Sequence, residues 1–178
     1  VSESKIKLKK ILFTPEQIQN RVRELAQRIS ADYAGRTLHV VCVLENGFVF
    51  GADLVRQLQL DVVTQFVRPE LRARAESGNE HTEIFFGPEV DVKGKDVLLV
   101  EALIQSGITS EFLVRNFMTR GAATVKICAL LDKQADRKLH LQPDYFGFLL
   151  DESFAVGYGL AAPGQLARNL PLIGVLEQ

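Results

Sequence analysis

Ser106-Gly107-Ile108-Thr109 is a run of small and polar residues between the apolar stretch Val97-Leu98-Leu99-Val100-Glu101-Ala102-Leu103-Ile104 and the helical pattern Ser110-Glu111-Phe112-Leu113-Val114-Arg115-Asn116-Phe117. A buried strand that feeds such a turn and then a helix gathers backbone N–H groups, hydroxyls and the positive end of a helix dipole in one place. That is the chemistry of phosphate-monoester binding. The same residues also suit a plain tight turn with a helix cap, so the motif alone leaves both readings open. Two polar side chains flank the turn. The Glu101 carboxyl can accept from hydroxyl groups, whereas the Gln105 amide can hydrogen-bond but cannot take up or release a proton near neutral pH.

Such a loop needs a sheet behind it, and the rest of the chain supplies one. Thr14-Pro15-Glu16-Gln17 reads as an N-cap, a proline at the first helical position and an acidic first turn. The helix that follows carries Ile18, Val22, Leu25, Ala26 and Ile29 on one stripe and ends by Gly35. Leu38 to Leu44 is almost wholly apolar, as expected for a strand covered on both faces. The turn Glu45-Asn46-Gly47, a helical pattern over Phe48 to Leu58 and a strand over Asp61 to Val67 come next.

From Arg68 to Thr82 no apolar period of either kind is visible, which predicts a structureless loop of the sort used as a functional flap. A short strand is expected over Glu83-Ile84-Phe85-Phe86, before a turn at Gly87-Pro88. After the central strand and the helix to about Arg120, a strand is expected from Thr124 to Leu131. The last quarter offers three short strand-like stretches: Tyr145 to Leu150, Phe154 to Gly159 and Leu172 to Leu176. Alternating strands and helices imply an α/β fold with a mostly parallel, doubly wound sheet flanked by helices. Its ligand crevice belongs at the carboxyl ends of the strands, where the loops Glu45 to Gly47, Glu101 to Thr109 and Asp132 to Arg137 would meet.

Length and composition fit a single domain over residues 1–178. With 21 basic and 22 acidic residues, bulk charge gives no case for nucleic acid or a membrane surface as partner. Cys42 and Cys128 sit inside apolar runs as small hydrophobes, with neither disulfide nor metal spacing. The stretch Ser2 to Lys10 lacks the apolar centre of a signal peptide, so a cytoplasmic location is expected.

Several separated segments, in order, resemble the hypoxanthine-guanine phosphoribosyltransferases, which are type I phosphoribosyltransferases. Glu101 to Thr109 resembles their phosphoribosyl-pyrophosphate loop, and Val43 to Arg56 their first loop and following helix. Leu130-Leu131-Asp132-Lys133 is similar to the strand end that carries their purine-contacting lysine. Pro143 to Phe148, Phe154 to Leu160 and Arg168 to Leu176 are similar to their carboxyl-terminal hood and closing strand. The likeness runs from about Ile11 to Leu176. It implies the type I phosphoribosyltransferase fold, with a small hood built from the N-terminal segment and residues from about 140 to 178.

Carried over residue by residue, the resemblance implies that Ser106, Gly107, Ile108 and Thr109 bind phosphate and that Glu101 holds the ribose. Lys133 would donate to a purine 6-oxygen, Phe154 would stack on the ring, and Ala155 and Leu160 would complete the purine site. Asn46, Gly47, Arg137 and Arg168 would lie on the pyrophosphate side, Arg168 being displaced by one inserted residue. An ordinary core phenylalanine is the alternative for Phe154, and a lone surface arginine for Arg137 and Arg168.

The departures cluster on one side of the reaction. The second acid of the opening pair is Ala102, the acid at the general acid/base position is Gln105, and an acid that helps hold magnesium is Ala161. A family lysine is Glu45, and Leu71-Arg72 stands at the flap's Ser-Tyr pair. Magnesium, the family's cofactor, is therefore expected to be weakly held or absent, and no metal-ligand residues are assigned. The expected function is binding of a purine nucleotide or similar phosphorylated ligand with transferase activity weak or lost. The alternatives are an active salvage enzyme making IMP or GMP from hypoxanthine or guanine, and a structural or regulatory subunit with a vestigial pocket. A homo-oligomer, dimer or tetramer, is implied by the family alone.

Overall fold

The computed structural model describes residues 6–76, 79–85, 90–151 and 154–177, with the backbone alone over 70–85. Nine strands and three α-helices are seen among the described residues: β1 (Leu8–Phe13), α1 (Pro15–Asp32), β2 (Leu38–Val43), α2 (Phe48–Gln57), β3 (Val62–Val67), β4 (Glu70–Glu76), β5 (Asn79–Phe85), β6 (Asp96–Ile104), α3 (Ile108–Thr119), β7 (Thr124–Asp132), β8 (Tyr145–Leu149) and β9 (Ile173–Leu176). Five strands form the main sheet in the order β3-β2-β6-β7-β8, every neighbouring pair parallel. Each strand must therefore be entered from the same end: α2 makes the return from β2 to β3 and α3 that from β6 to β7, while β4 and β5 lie between β3 and β6.

The sheet's alternation sorts the core into two layers. Leu98, Val100 and Ala102 of β6 face the cluster that includes Ile18, Ile29, Phe50 and Leu54 from α1 and α2. Val97 and Leu99 face Leu113 and Phe117 of α3. Because successive side chains of a strand point to opposite faces, a run apolar at nearly every position is what a doubly covered strand requires. Thr14 caps α1 with a full capping box: its hydroxyl accepts from Gln17 N, and the Gln17 side chain accepts from Thr14 N at 2.8 Å. No helix among the described residues is long and apolar enough to cross a membrane.

Three expectations change. The stretch from Arg68 to Thr82 is not structureless: β4 and β5 pair antiparallel, from Glu70↔Phe85 to Glu76↔Asn79. The pattern Leu71-Arg72-Ala73-Arg74-Ala75-Glu76 does alternate, but with alanines in place of the bulky residues that mark most strands. Phe86 and the Gly87-Pro88 turn lie outside the described residues. Phe154 to Gly159 is not a strand either. It makes only the isolated bridges Val156↔Gly174 and Gly157↔Leu160, because Gly157, Tyr158 and Gly159 all take positive φ and turn the chain. Finally, β1 is a strand that the sequence pattern does not mark. It pairs antiparallel with β9, from Leu8↔Leu176 to Phe13↔Ile173, and the pair forms a separate two-stranded sheet.

Candidate functional site

The carboxyl ends of β2, β6 and β7 bring the three expected loops to one edge of the sheet. A Cβ at Gly47 would meet Val43 O, at the end of β2, at 2.6 Å and Val100 O of β6 at 3.3 Å. Only glycine fits that close to the end of β2. The loop after β7 is fastened to the turn after β6 by three bonds. Lys133 N donates to Ile104 O at 2.9 Å, Arg137 Nε to Gln105 O at 3.0 Å, and Lys138 N to Ser106 O at 3.0 Å.

The turn itself is built as a cradle. Gly107 has φ 81°, a left-handed conformation that lets the chain leave β6 and enter α3 at once. Glu111 N bonds to Gly107 O at 2.9 Å, the first α-helical bond, so the N–H groups before it have no acceptor within the helix. Ser106 Oγ accepts from Ile108 N at 3.3 Å, while Thr109 lies inside the first turn. Gly107 has no side chain to cap the helix, so Ser106 takes up its first N–H group in place of a cap residue.

Glu101 is the one acid retained at the end of β6, and it is 7% exposed. It shares a hydrogen bond with Ser110 of α3, and its Oε1 has no partner. Burial pushes its carboxyl up from 4.5 to about 7; the Ser110 hydroxyl and the Arg137 charge pull the other way and only partly offset it. Next to it the Ala102 methyl is 2% exposed and packed into the α1/α2 layer, and the Gln105 amide is exposed. Ala161, half-buried, offers no oxygen. A hard cation such as magnesium takes charged oxygen ligands. Glu101, buried and holding its proton to about pH 7, is a poor ligand for a resident magnesium ion, and the side chains of Ala102 and Ala161 offer no oxygen at all.

On the β7 side, Lys133 is almost buried, with its ammonium 2.6 Å from Asp136. Phe154 is 49% exposed, whereas Ala155 and Leu160 are buried. Arg137 is embedded rather than presented to solvent: it bonds to Gln105 O and Leu141 O and forms an ion pair with Asp132, which is 2% exposed. Asp132 also accepts from Gln134 Nε2 at 3.0 Å. This arginine buttresses the phosphate loop from behind.

Arg168 and Asn46 do come together, Nη1 to Oδ1 at 2.6 Å, despite the extra residue before Arg168. Arg168 also holds Gly159 O, Gln165 Oε1 at 2.6 Å and Glu45 Oε2 at 3.3 Å. Arg68 meets the other oxygen of Glu45 at 3.0 Å. Sequence reasoning missed Arg68, Asp132, Asp136 and Ser110. Arg68 was the one within reach, since Val43 and Val67 are paired across β2 and β3 and the residues just past them must meet at the crevice.

Similarity to known proteins agrees with this geometry. Residues 12–163 match the family described as phosphoribosyl transferase domain. The hypoxanthine-guanine phosphoribosyltransferase of Bacillus subtilis is 33% identical over 170 residues, 96% of this chain and 94% of that one. The bifunctional protein TilS/HprT of Listeria innocua is 34% identical over 170 residues, but this chain spans only 26% of its length. Among solved structures, a hypoxanthine-guanine phosphoribosyltransferase from Bacillus anthracis superposes with a TM-score of 0.84 at 36% identity, covering 97% of this chain and 99% of that one. A parallel five-stranded sheet, the matching family model over residues 12–163 and a Bacillus subtilis relative 33% identical along nearly its whole length carry one conclusion: this chain belongs to the phosphoribosyltransferase family, in its hypoxanthine-guanine branch.

Proposed function

We propose that this chain binds a purine nucleotide or similar phosphorylated ligand at the crevice, with the transferase chemistry of its family weak or lost. The observation that carries the reading is the division at the end of β6. The cradle is complete from Ser106 to Thr109, while the acids around it are reduced to Glu101, buried, bonded to Ser110 and protonated to about pH 7. Backbone donors suffice to hold a phosphate monoester. Transfer of a phosphoribosyl group needs, in addition, a group that handles the purine proton and a way to offset charge on leaving pyrophosphate. Gln105, Ala102 and Ala161 supply neither. On this reading Glu101 faces the ribose, Lys133, Phe154, Ala155 and Leu160 receive the base, and Arg137 positions the cradle.

The test is a pair of measurements on the full chain. Titration with inosine or guanosine monophosphate, with and without a chelator, is expected to show binding that does not depend on magnesium. Assay with phosphoribosyl pyrophosphate, magnesium and either purine is expected to show no more than trace nucleotide. Turnover on the order of 1–10³ per second would overturn the reading.

Similarity to full-length enzymes such as that of Bacillus subtilis favours a second reading, an active salvage enzyme, and the same assay decides it. The proposal includes self-association: β3 is an edge strand with Val63 and Phe66 exposed, which supports a partner there. Phe66→Glu is expected to lower the assembled mass in light scattering.

A further inference from the structure

Glu45 is held from two directions at the mouth of the crevice. Arg68 takes one oxygen at 3.0 Å and Arg168 the other at 3.3 Å. Of the four N–H groups on the two terminal nitrogens of Arg168, two meet Asn46 and the Gly159 carbonyl, and two meet Glu45 and Gln165. Guanidinium has five N–H donors in a fixed fork. Little of this one is left for an anion from outside, and its side chain is only 19% exposed. The first loop that carries Glu45 is packed at Gly47 against the end of β2, and the Glu45 side chain is 45% exposed between the two arginines.

We propose that Glu45 is a resident anion on the Arg68–Arg168 pair, so that the crevice accepts a ligand with one phosphate group and rejects one that extends a diphosphate toward the first loop. The proposal rests on the phosphate-binding reading of the Ser106–Thr109 cradle and names its selectivity. A diphosphate arriving at this side meets the Glu45 carboxylate ahead of Arg68, and Arg168 is already bonded. A monophosphate in the cradle makes no such demand. Glu45 thus acts as a specificity-determining residue and not as a catalytic one.

Calorimetric titration of the full chain and of Glu45→Gln with inorganic phosphate and with inorganic diphosphate, without divalent metal, tests this. Removing one like charge at close range is expected to tighten diphosphate binding about tenfold or more, with phosphate affinity unchanged within about twofold and the gain shrinking at high salt. Glu45→Ala gives the same direction if the glutamine keeps the arginines engaged. Adding Arg168→Gln to Glu45→Gln is expected to cancel the gain. Unchanged diphosphate affinity in both folded Glu45 variants, an equal gain for the two anions, or a gain that survives loss of Arg168 would each overturn the proposal. Failure of the parent chain to bind phosphate would instead strike the cradle reading, and the diphosphate comparison would still decide the role of Glu45.

Discussion

Replacing Glu101 with glutamine is expected to stabilise the protein, by an amount that grows with pH. Burial holds this carboxyl up, from 4.5 to about 7. The unfolded chain releases the proton near 4.5 and the folded chain keeps it to about 7, so the folded state binds more protons across that window. Stability linked to the group is therefore complete below the lower value and is lost as pH rises to the upper one. A gap of roughly 2.5 pH units at about 1.4 kcal/mol each amounts to about 3 kcal/mol once the carboxylate is fully ionised. Glutamine does not titrate, and it keeps the length of the side chain and a carbonyl oxygen for the Ser110 hydroxyl.

The difference between Glu101→Gln and the parent should thus be about 1 kcal/mol near pH 5 and about 3 kcal/mol near pH 8. Urea unfolding of both proteins at the two pH values, at one ionic strength, reads it directly. Every other titrating group occurs in both proteins and cancels in the comparison. A difference that is the same at both pH values would refute the assignment of Glu101 as a buried acid that keeps its proton. A difference that shrinks as pH rises would reverse its sign and refute the burial argument itself.

Arg137→Ala leaves the Asp132 carboxylate buried without its partner and is expected to cost about 3–5 kcal/mol in denaturant unfolding; the pair Asp132→Asn with Arg137→Leu should recover part of that loss. Thr14→Ala removes one half of the α1 capping box and should cost about 1 kcal/mol by the same measurement. Restoring Ala102→Asp, Gln105→Asp and Ala161→Asp together with Glu45→Lys is expected to bring measurable nucleotide formation, while no single change suffices, because groups acting on one transition state contribute non-additively. A folded quadruple variant without activity, or a single change as active as the four, would contradict that account.

The cradle was legible in the sequence because everything that makes it is local: an apolar strand, a glycine at the turn and the first turn of a helix lie within adjacent residues. The same holds for α1, whose cap and apolar stripe are written in order. What could not be read depends on partners far along the chain. β1 has the burial of a strand whose partner, β9, is at the other end of the described chain and is met through two register shifts, so no clean alternation survives. The embedding of Arg137 depends on Asp132 and on the carbonyls of Gln105 and Leu141, groups on three different segments with no shared period. Arg168 gains its four partners only because the hood loop folds back over the first loop.

That distribution bears on how binding and chemistry can separate in one fold. On the proposed reading, phosphate is recognised by backbone geometry, which β6, Gly107 and α3 set and which Arg137 and Lys138 brace from the β7 loop. On the same reading, a transfer step would draw on side chains at the ends of strands, where methyl or amide groups now stand. Ala102 shows the point. It sits 2% exposed in a core layer, a place where a small apolar group packs at least as well as a carboxylate. Under the proposed function, substitutions of this kind leave the sheet and the turn intact while removing charge from the reaction, which is how a ligand could be kept as a rate falls. The ion pairs at Glu45 go one step further, since they fill the vacated side of the crevice with charge of the chain's own.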